Sequence, residues 1–560
     1  MTSAGLGLSC TMPLPDRNTR PWRARAFFLT RNKRFLVQGV LLILGFLGAL
    51  AALTHVILQV DAKPVKAATA EEDEQIIEEF HRLERSPTAQ PSRFSAWVRS
   101  TAILLHDFDS ADRPPFDPVA LTFGELHLEP VVRKHASSAD AYPLFSAYVR
   151  CLFTTPGTDV TADRNLLLAA AQQRPALRHA GEFLGDFYYY GDSNPVKALP
   201  CYMQEVPYAD AQYARRMALN VALQLDDEDA LRQLASNPVV LSDASPTQLK
   251  NLAYKLKDPK IALYATTALQ VSRWSYWPMV CLALFAAAIW YLVLVHSGPL
   301  RPHRWVRYLP AVLAGALSVV LLNWLQIYKD YQPLPSPGDN PGKQLVHWIL
   351  YVGIPEEGFK VALFALFLPV LLRQRSRREA ALTAGCVGLG FAFNENIGYF
   401  TDPGPHTAAA RLLTANVLHF TLTGILGLHL YELFRSRFHS ATNFIIAFLA
   451  VSAAHGMYNF SGSPVGLSWE IDIAHIIIVA LATKLYLQLL HDDHEPAGSG
   501  SPISRTCVFW FGTSLMVGIL MIVAVVLTGS LEGISTTLAQ AISMVPVALI
   551  YQHEFNEMRR

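Results

Sequence analysis

Two carboxylates and an amine stand in a stretch that otherwise reads as a membrane span. Gly353-Ile354-Pro355-Glu356-Glu357-Gly358-Phe359-Lys360 lies within an apolar run from about Leu345 to Leu372, long enough to cross a bilayer. Each charge there costs about 2.5–3.5 kcal/mol at a helix centre on insertion scales. Ionisable groups in such a place face a bundle interior or a water-filled cavity, and they mark function by default. At helical spacing Lys360 can reach back to Glu356 and Glu357 and neutralise one of them. Pro355 lacks the N–H that would bond the Tyr351 carbonyl, and Gly353 and Gly358 flank the pair, so a distorted helix is predicted.

Three later apolar stretches carry more polar groups: Glu395 and Asn396 in Phe391-Ala392-Phe393-Asn394-Glu395-Asn396, then His419, then His455 with Asn459. At about 1.5 Å per residue, all fall between the outer third of their spans and the midplane. Singly, each has a plain structural reading, an ion pair or a hydrogen bond between helices. Together, on four consecutive helices at one depth, they predict a site. Peptide hydrolysis needs an activated water, a stabiliser for the oxyanion and a proton donor for the leaving amine. One glutamate of the pair, poorly solvated and tuned by Lys360, could be the general base. A second version of the chemistry uses zinc, with Glu356, Glu395, His419 and His455 as ligands and one position open to water. No H-E-x-x-H is present, and the metal-free version is preferred, with no cofactor. The competing class is an ion- or proton-coupled transporter or channel, but no inverted repeat supports it.

These groups need a bundle to hold them. The chain has 560 residues, 51% hydrophobic and 16% charged, as expected of a polytopic membrane protein with one sizeable soluble portion. A net charge of +1 gives no basic surface for nucleic acid. The apolar pattern predicts an all-α fold of about ten spans: 35–60, then 276–296, 305–327, 345–372, 380–401, 409–433, 442–460, 469–490, 505–528 and 531–551. Arginines and lysines collect before the first span and in every second loop thereafter. The positive-inside rule then puts residues 1–34 and the C-terminus in the cytoplasm and residues 61–273 outside it.

Residues 61–273 read as a mostly helical domain, opening with Glu71-Glu72-Asp73-Glu74 and a helical pattern through Ile76 and Ile77. Phe183-Leu184-Gly185-Asp186-Phe187-Tyr188, followed by Ala198 and Tyr202, resembles one tetratricopeptide unit, with no further copies. Cys151 and Cys201 are the domain's two cysteines, free to pair in an oxidising compartment. Residues 274–560 form the polytopic part, with its chemistry concentrated at about 340–465.

Taken in order, the motifs resemble the PrsW family of polytopic intramembrane proteases, related to the CAAX-processing and bacteriocin-maturing proteases. E-E-x-x-K is Glu356, Glu357 and Lys360, and F-A-x-x-E-N is Phe391, Ala392, Glu395 and Asn396. H-x-x-x-x-G is His419 and Gly424, and H-x-x-x-N is His455 and Asn459. The second motif of the CAAX relatives ends in His where this chain has Glu395, so their roles transfer in part. The resemblance implies an intramembrane endopeptidase of glutamic type. Glu356 would activate water, Glu357 and Lys360 would tune it, and His455 and Asn459 would hold the oxyanion. His419 and Glu395 would position water or shuttle protons. The implied substrate is a membrane-anchored protein, such as an anti-sigma factor cut to send a signal. A non-catalytic relative is the remaining alternative. The predicted topology is checked by thiol labelling: positions 151 and 201 should be reached from the outer face, and labelling from the cytoplasmic side would overturn it.

Overall fold

The computed structural model describes residues 21–61, 78–90, 93–94, 97–98, 128–135, 141–153, 159–173, 177–295, 306–330, 340–401, 407–461, 468–491 and 503–555. Every regular element among them is helical. The chain divides into two compact units, one formed by Met1–Ala62 with Gln270–Arg560 and the other by Lys63–Leu269.

In the first unit, α1 (Lys33–Asp61) is followed by α2 (Trp277–Val295), α3 (Leu309–Asp330), α4 (Pro341–Trp348), α5 (Ile354–Ala365) and α6 (Leu368–Gln374). Then come α7 (Arg377–Thr401), α8 (Ala408–Leu413), α9 (Ala415–Arg435), α10 (Ala441–Ser461), α11 (Ser468–His491), α12 (Arg505–Thr528), α13 (Glu532–Ser543) and α14 (Val545–Phe555). Among the described residues five helices are long and apolar enough to cross a membrane, and the pair α13–α14, bent by 46°, would make a sixth. The pattern had suggested about ten spans. The difference has physical causes. The apolar cores within α3 and α11 are shorter, Leu309–Leu325 and Ala474–Leu490, and α7 dilutes its apolar residues with glycine, alanine, Asn394, Glu395 and Asn396.

The run 345–372 is not one helix. It is α4, a π-helical turn over Ile349–Gly353, α5 and α6. A proline stands in the first turn of both α5 and α6, where its missing N–H costs nothing and its fixed φ suits a restart. The distortion expected from Pro355 is therefore present, and it places Glu356 and Glu357 in the opening turn of α5.

Two sets of glycines bring the site helices together. A Cβ on Gly353 would lie 2.2 Å from the Ser452 carbonyl oxygen, and one on Gly456 would lie 2.6 Å from Ile349 Cα. These positions let the π turn and α10 touch backbone to backbone. A Cβ on Gly388 would lie 2.2 Å from the His419 carbonyl oxygen, so α7 and α9 meet at the level of His419. Helix α7 is buried along almost its whole length, and the other helices are arranged around it. Gly424, part of a motif in the sequence, faces the Tyr486 ring, whose nearest atom would be 2.2 Å from a Cβ. Its role is packing.

The second unit is described only by its own contacts. Its helix pair Ala180–Asp186 and Pro195–Glu205 shows why the local sequence looks repeat-like: Gly185 leaves room for the Tyr202 ring, 2.7 Å from where a Cβ would be, and Ala198 and Tyr202 are fully buried. The acidic segment 71–74 and Ile76 and Ile77 lie outside the described residues. Cys151 and Cys201 are free thiols, not a disulfide; Cys201 Sγ donates to the Lys197 carbonyl at 3.3 Å. Burial pushes the two thiols up to about 12 and about 11, so neither is a ready nucleophile. The exposed Ser236, changed to cysteine, is accordingly the better position for the topology assay.

At the centre of this unit the buried Asp186 carboxylate accepts hydroxyl hydrogens from Tyr148 (3.0 Å), Tyr202 (2.6 Å) and Tyr213 (2.5 Å). Burial pushes its carboxyl up to about 7, against the pull of the hydroxyls. Between about pH 4 and pH 7 the folded unit therefore holds a proton that the unfolded chain has lost. The stability from this group is full at low pH and is lost as pH rises through 7. Asp186→Ala should cost about 3 kcal/mol by leaving three buried hydroxyls without their acceptor. Asp186→Asn should flatten the pH dependence between 4 and 7. Thermal unfolding of the intact chain across that range, followed by tyrosine signals, checks both outcomes.

Candidate functional site

The polar residues predicted from the sequence converge where α5, α7, α9 and α10 meet. Glu356, Glu357 and Lys360 come from α5, Glu395 and Asn396 from α7, His419 from α9 and His455 from α10. Glu357 and Lys360 are completely buried, and His419 and His455 nearly so.

Glu357 is the best-bonded member. Its Oε1 accepts from Lys360 Nζ at 2.7 Å and from His455 Nδ1 at 2.7 Å, and its Oε2 accepts from Thr423 Oγ1 at 3.2 Å. Lys360 Nζ also donates to His419 Nδ1 at 2.9 Å, lies 3.9 Å from the centre of the Phe391 ring and stays 3.8 Å from Glu356 Oε2. His419 Nε2 meets Glu395 Oε2 at 3.0 Å. The two imidazole rings stand edge to face with centres 5.1 Å apart.

Hydrogen-bond direction fixes which ring nitrogen faces each partner and what it offers there. Glu357 only accepts, so His455 carries its hydrogen on Nδ1. Lysine only donates, so His419 Nδ1 presents a lone pair and Nε2 carries the hydrogen toward Glu395. The consequence falls on Glu356. His455 Nε2 lies 3.3 Å from Glu356 Oε2, and that oxygen is buried without a hydrogen-bond partner. The two atoms thus face one another in a poorly solvated place, where a proton or a cation can be shared between them.

Access to it is narrow. Of the carboxylate side chains, Glu395 retains 22% of its surface and Glu356 9%, while Glu357 retains none. Asn459, one turn beyond His455 on the same helix, is half-buried and joins none of these bonds. Asn396 donates to Asn416 Oδ1 at 2.6 Å, so it braces α7 against α9. Asn394 likewise braces: its amide donates to the Ala316 carbonyl at 2.7 Å and accepts from Gln270 at 2.8 Å and Trp274 at 3.1 Å.

Sequence reasoning missed Thr423 and Arg411. Thr423 lies four residues after His419 on one helix face, a spacing that could have found it. Arg411 pairs with Glu395, and its position near the start of an apolar run was the signal, since a cation there seeks an acid.

Residues 302–486, about a third of the chain, match the PrsW-protease family model, described as PrsW family intramembrane metalloprotease. No curated protein and no solved structure matches. The family description implies a metal, and the donor set fits one. Ligand atoms of Glu356, His419 and His455 lie within 4.8 Å of one another, and the orphaned Glu356 Oε2 is among the atoms able to bind. Glu395, expected as a fourth ligand, is not in this group, because Arg411 and His419 take its Oε2. The residues that converge between these apolar helices all fall within 302–486, the part of the chain that is similar to the PrsW family of intramembrane proteases.

Proposed function

We propose that the chain is an endopeptidase that cuts a membrane-anchored protein, an anti-sigma factor being one such substrate, with Glu356 as the water-activating base. The observation that carries this reading is the unpartnered Glu356 Oε2 facing His455 Nε2 at 3.3 Å. A water held against Glu356 gives up its proton to the Glu356–His455 pair as its oxygen attacks the scissile carbonyl. Once protonated at Nε2, His455 can donate to the developing oxyanion and then to the leaving amine. Glu357 holds the imidazole by its Nδ1–H throughout, so the ring needs no reorientation between the two steps. Glu357 and Lys360 therefore act by orienting and balancing charge, and His419 with Glu395 offers a second route for protons.

Metal-free chemistry is supported by Lys360, whose ammonium already occupies the lone pair of His419 Nδ1. The second reading rests on the closeness of Glu356, His419 and His455. There Glu356 Oε2, His455 Nε2 and a His419 nitrogen released from its present partner would hold zinc, which would supply Lewis acidity to a bound water.

We further propose that residues 61–273 lie outside the cytoplasm and select substrates by their outer portions. Their deletion, with a short linker preserving topology, should impair cleavage of a full-length substrate more than cleavage of one trimmed near the membrane. Equal losses would leave the segment a stabilising role only.

Glu356→Gln and His455→Ala should each lower cleavage by at least a thousandfold (about 4 kcal/mol) while expression and insertion stay normal. Comparative proteomics of membrane proteins in cells carrying wild type or Glu356→Gln identifies the substrate and reads the loss together. Full activity of Glu356→Gln would remove it as the base. Strong chelators should leave the purified protein active and elemental analysis should find no stoichiometric metal. Inactivation by chelation with recovery on zinc would establish the second reading instead.

A further inference from the structure

We propose that the hairpin of α12 and α13 binds a phospholipid with a primary-amine headgroup, its amine on Glu532 and an acyl chain between the two helices. The site lies apart from the polar cluster and uses none of its residues. Gly529, at φ +62°, ends α12 and lets the chain turn back. Val517, Met521 and Val525 of α12 then pack with Ile534, Leu538 and Ala541 of α13 and with Ala51 of α1. That small core uses one face of α13. A second face, together with α12, encloses a groove of about 270 Å³ whose lining includes Leu520, Val523, Leu527, Glu532, Thr536 and Gln540. Glu532, Thr536 and Gln540 follow one another a turn apart, so the groove runs about 12 Å inward from Glu532 at 1.5 Å per residue.

The chemistry of the lining selects the occupant. All the lining residues belong to α12 and α13, and Leu527 is 60% exposed, so the groove faces the lipid rather than the bundle. The hydroxyls of Thr528, Thr536 and Thr537 each donate to a carbonyl one turn back, at 2.8 Å. With those donors spent, the walls favour hydrocarbon over water. The one charge is Glu532, in the first turn of α13 and level with the end of α12, which puts it at the membrane boundary. Its N–H goes to Ser530 and its carbonyl to Thr536, and its carboxylate pairs with no cation among the described residues. The start of a helix favours an anion but does not replace the water that a lipid covering the mouth would displace. A primary-amine phospholipid satisfies both ends at once: its ammonium donates N–H bonds to the carboxylate while its chain lies along the leucines. A choline headgroup carries the charge with no hydrogen to donate, and a glycerol headgroup sets a bare phosphate against the acid.

The test uses full-length protein in phosphatidylcholine nanodiscs doped with photoactivatable phosphatidylethanolamine, its diazirine midway along one acyl chain. Adducts are mapped by mass spectrometry of peptides. Wild type should carry adducts within residues 520–540, about tenfold above those left by matching phosphatidylcholine and phosphatidylglycerol probes, the weight of one charged hydrogen bond. Glu532→Gln should bring the phosphatidylethanolamine adducts there down to the phosphatidylcholine level while labelling of other helices stays unchanged. Thr536→Phe fills the groove and keeps the charge, so it should remove the adducts of all three probes. Both positions are exposed, and both variants should fold. Equal labelling by the three headgroups, or labelling undiminished in Glu532→Gln, overturns the proposal and leaves only boundary lipid. Disulfide-linked dimers of Leu527→Cys protein joined through position 527 would give the groove to a second copy of the chain and overturn it equally.

Discussion

The site depends on one fully buried carboxylate that ties three helices together. Glu357, without any exposed surface, accepts a lysine from its own helix, a histidine from α10 and a threonine from α9. An isolated carboxylate at that depth would cost several kcal/mol, and three donors on two oxygens are what make it tolerable. Those donors arrive from three helices. Removing the acid would therefore free the imidazole that faces Glu356 and strand the Lys360 ammonium. Local electrostatics and helix assembly are here the same interaction.

Such bonds form only if backbones approach closely. In lipid no hydrophobic force drives helices together, and small residues allow the contact instead. Gly353 and Gly456 let the π turn before α5 lie against α10, and Gly388 lets α7 lie against α9. The π turn and Pro355 reset the helix so that two adjacent glutamates diverge in role. Glu357 turns toward Thr423 and Nδ1 of His455, while Glu356 meets Nε2. The irregular backbone is what allows consecutive residues to reach opposite ends of one imidazole.

The chemistry-bearing residues were legible in the sequence because charge in an apolar run is costly and therefore conspicuous. Glu356, Glu357, Lys360, Glu395, His419 and His455 could be named from type and spacing, and the structure brings them together. Their partnerships were not legible, since they depend on helix rotation. Asn459 shares a face with His455 yet stays out of the network, and Gly424 answers to Tyr486 rather than to chemistry. Among the described residues only five or six helices pass as spans by length and hydropathy, against the ten expected, for a related reason. Hydropathy registers that a stretch is apolar, but a helix buried inside the bundle, such as α7, can be short of apolar residues and full of polar ones. Arg411 was passed over because it sits at a helix end, where a cation looks like an ordinary interfacial anchor.

Charge counting then distinguishes the three acids. Lys360 balances Glu357 and Arg411 balances Glu395, both by direct contact. Glu356 has no such contact: Lys360 approaches it no closer than 3.8 Å and His455 Nε2 no closer than 3.3 Å. The network is thus built to leave one acid short of a fixed partner, in contact with the one imidazole nitrogen that can share its proton. The base proposed above is thus the one acid of the three without a direct hydrogen-bonded partner for its Oε2, and of the adjacent pair it is the glutamate that retains accessible surface.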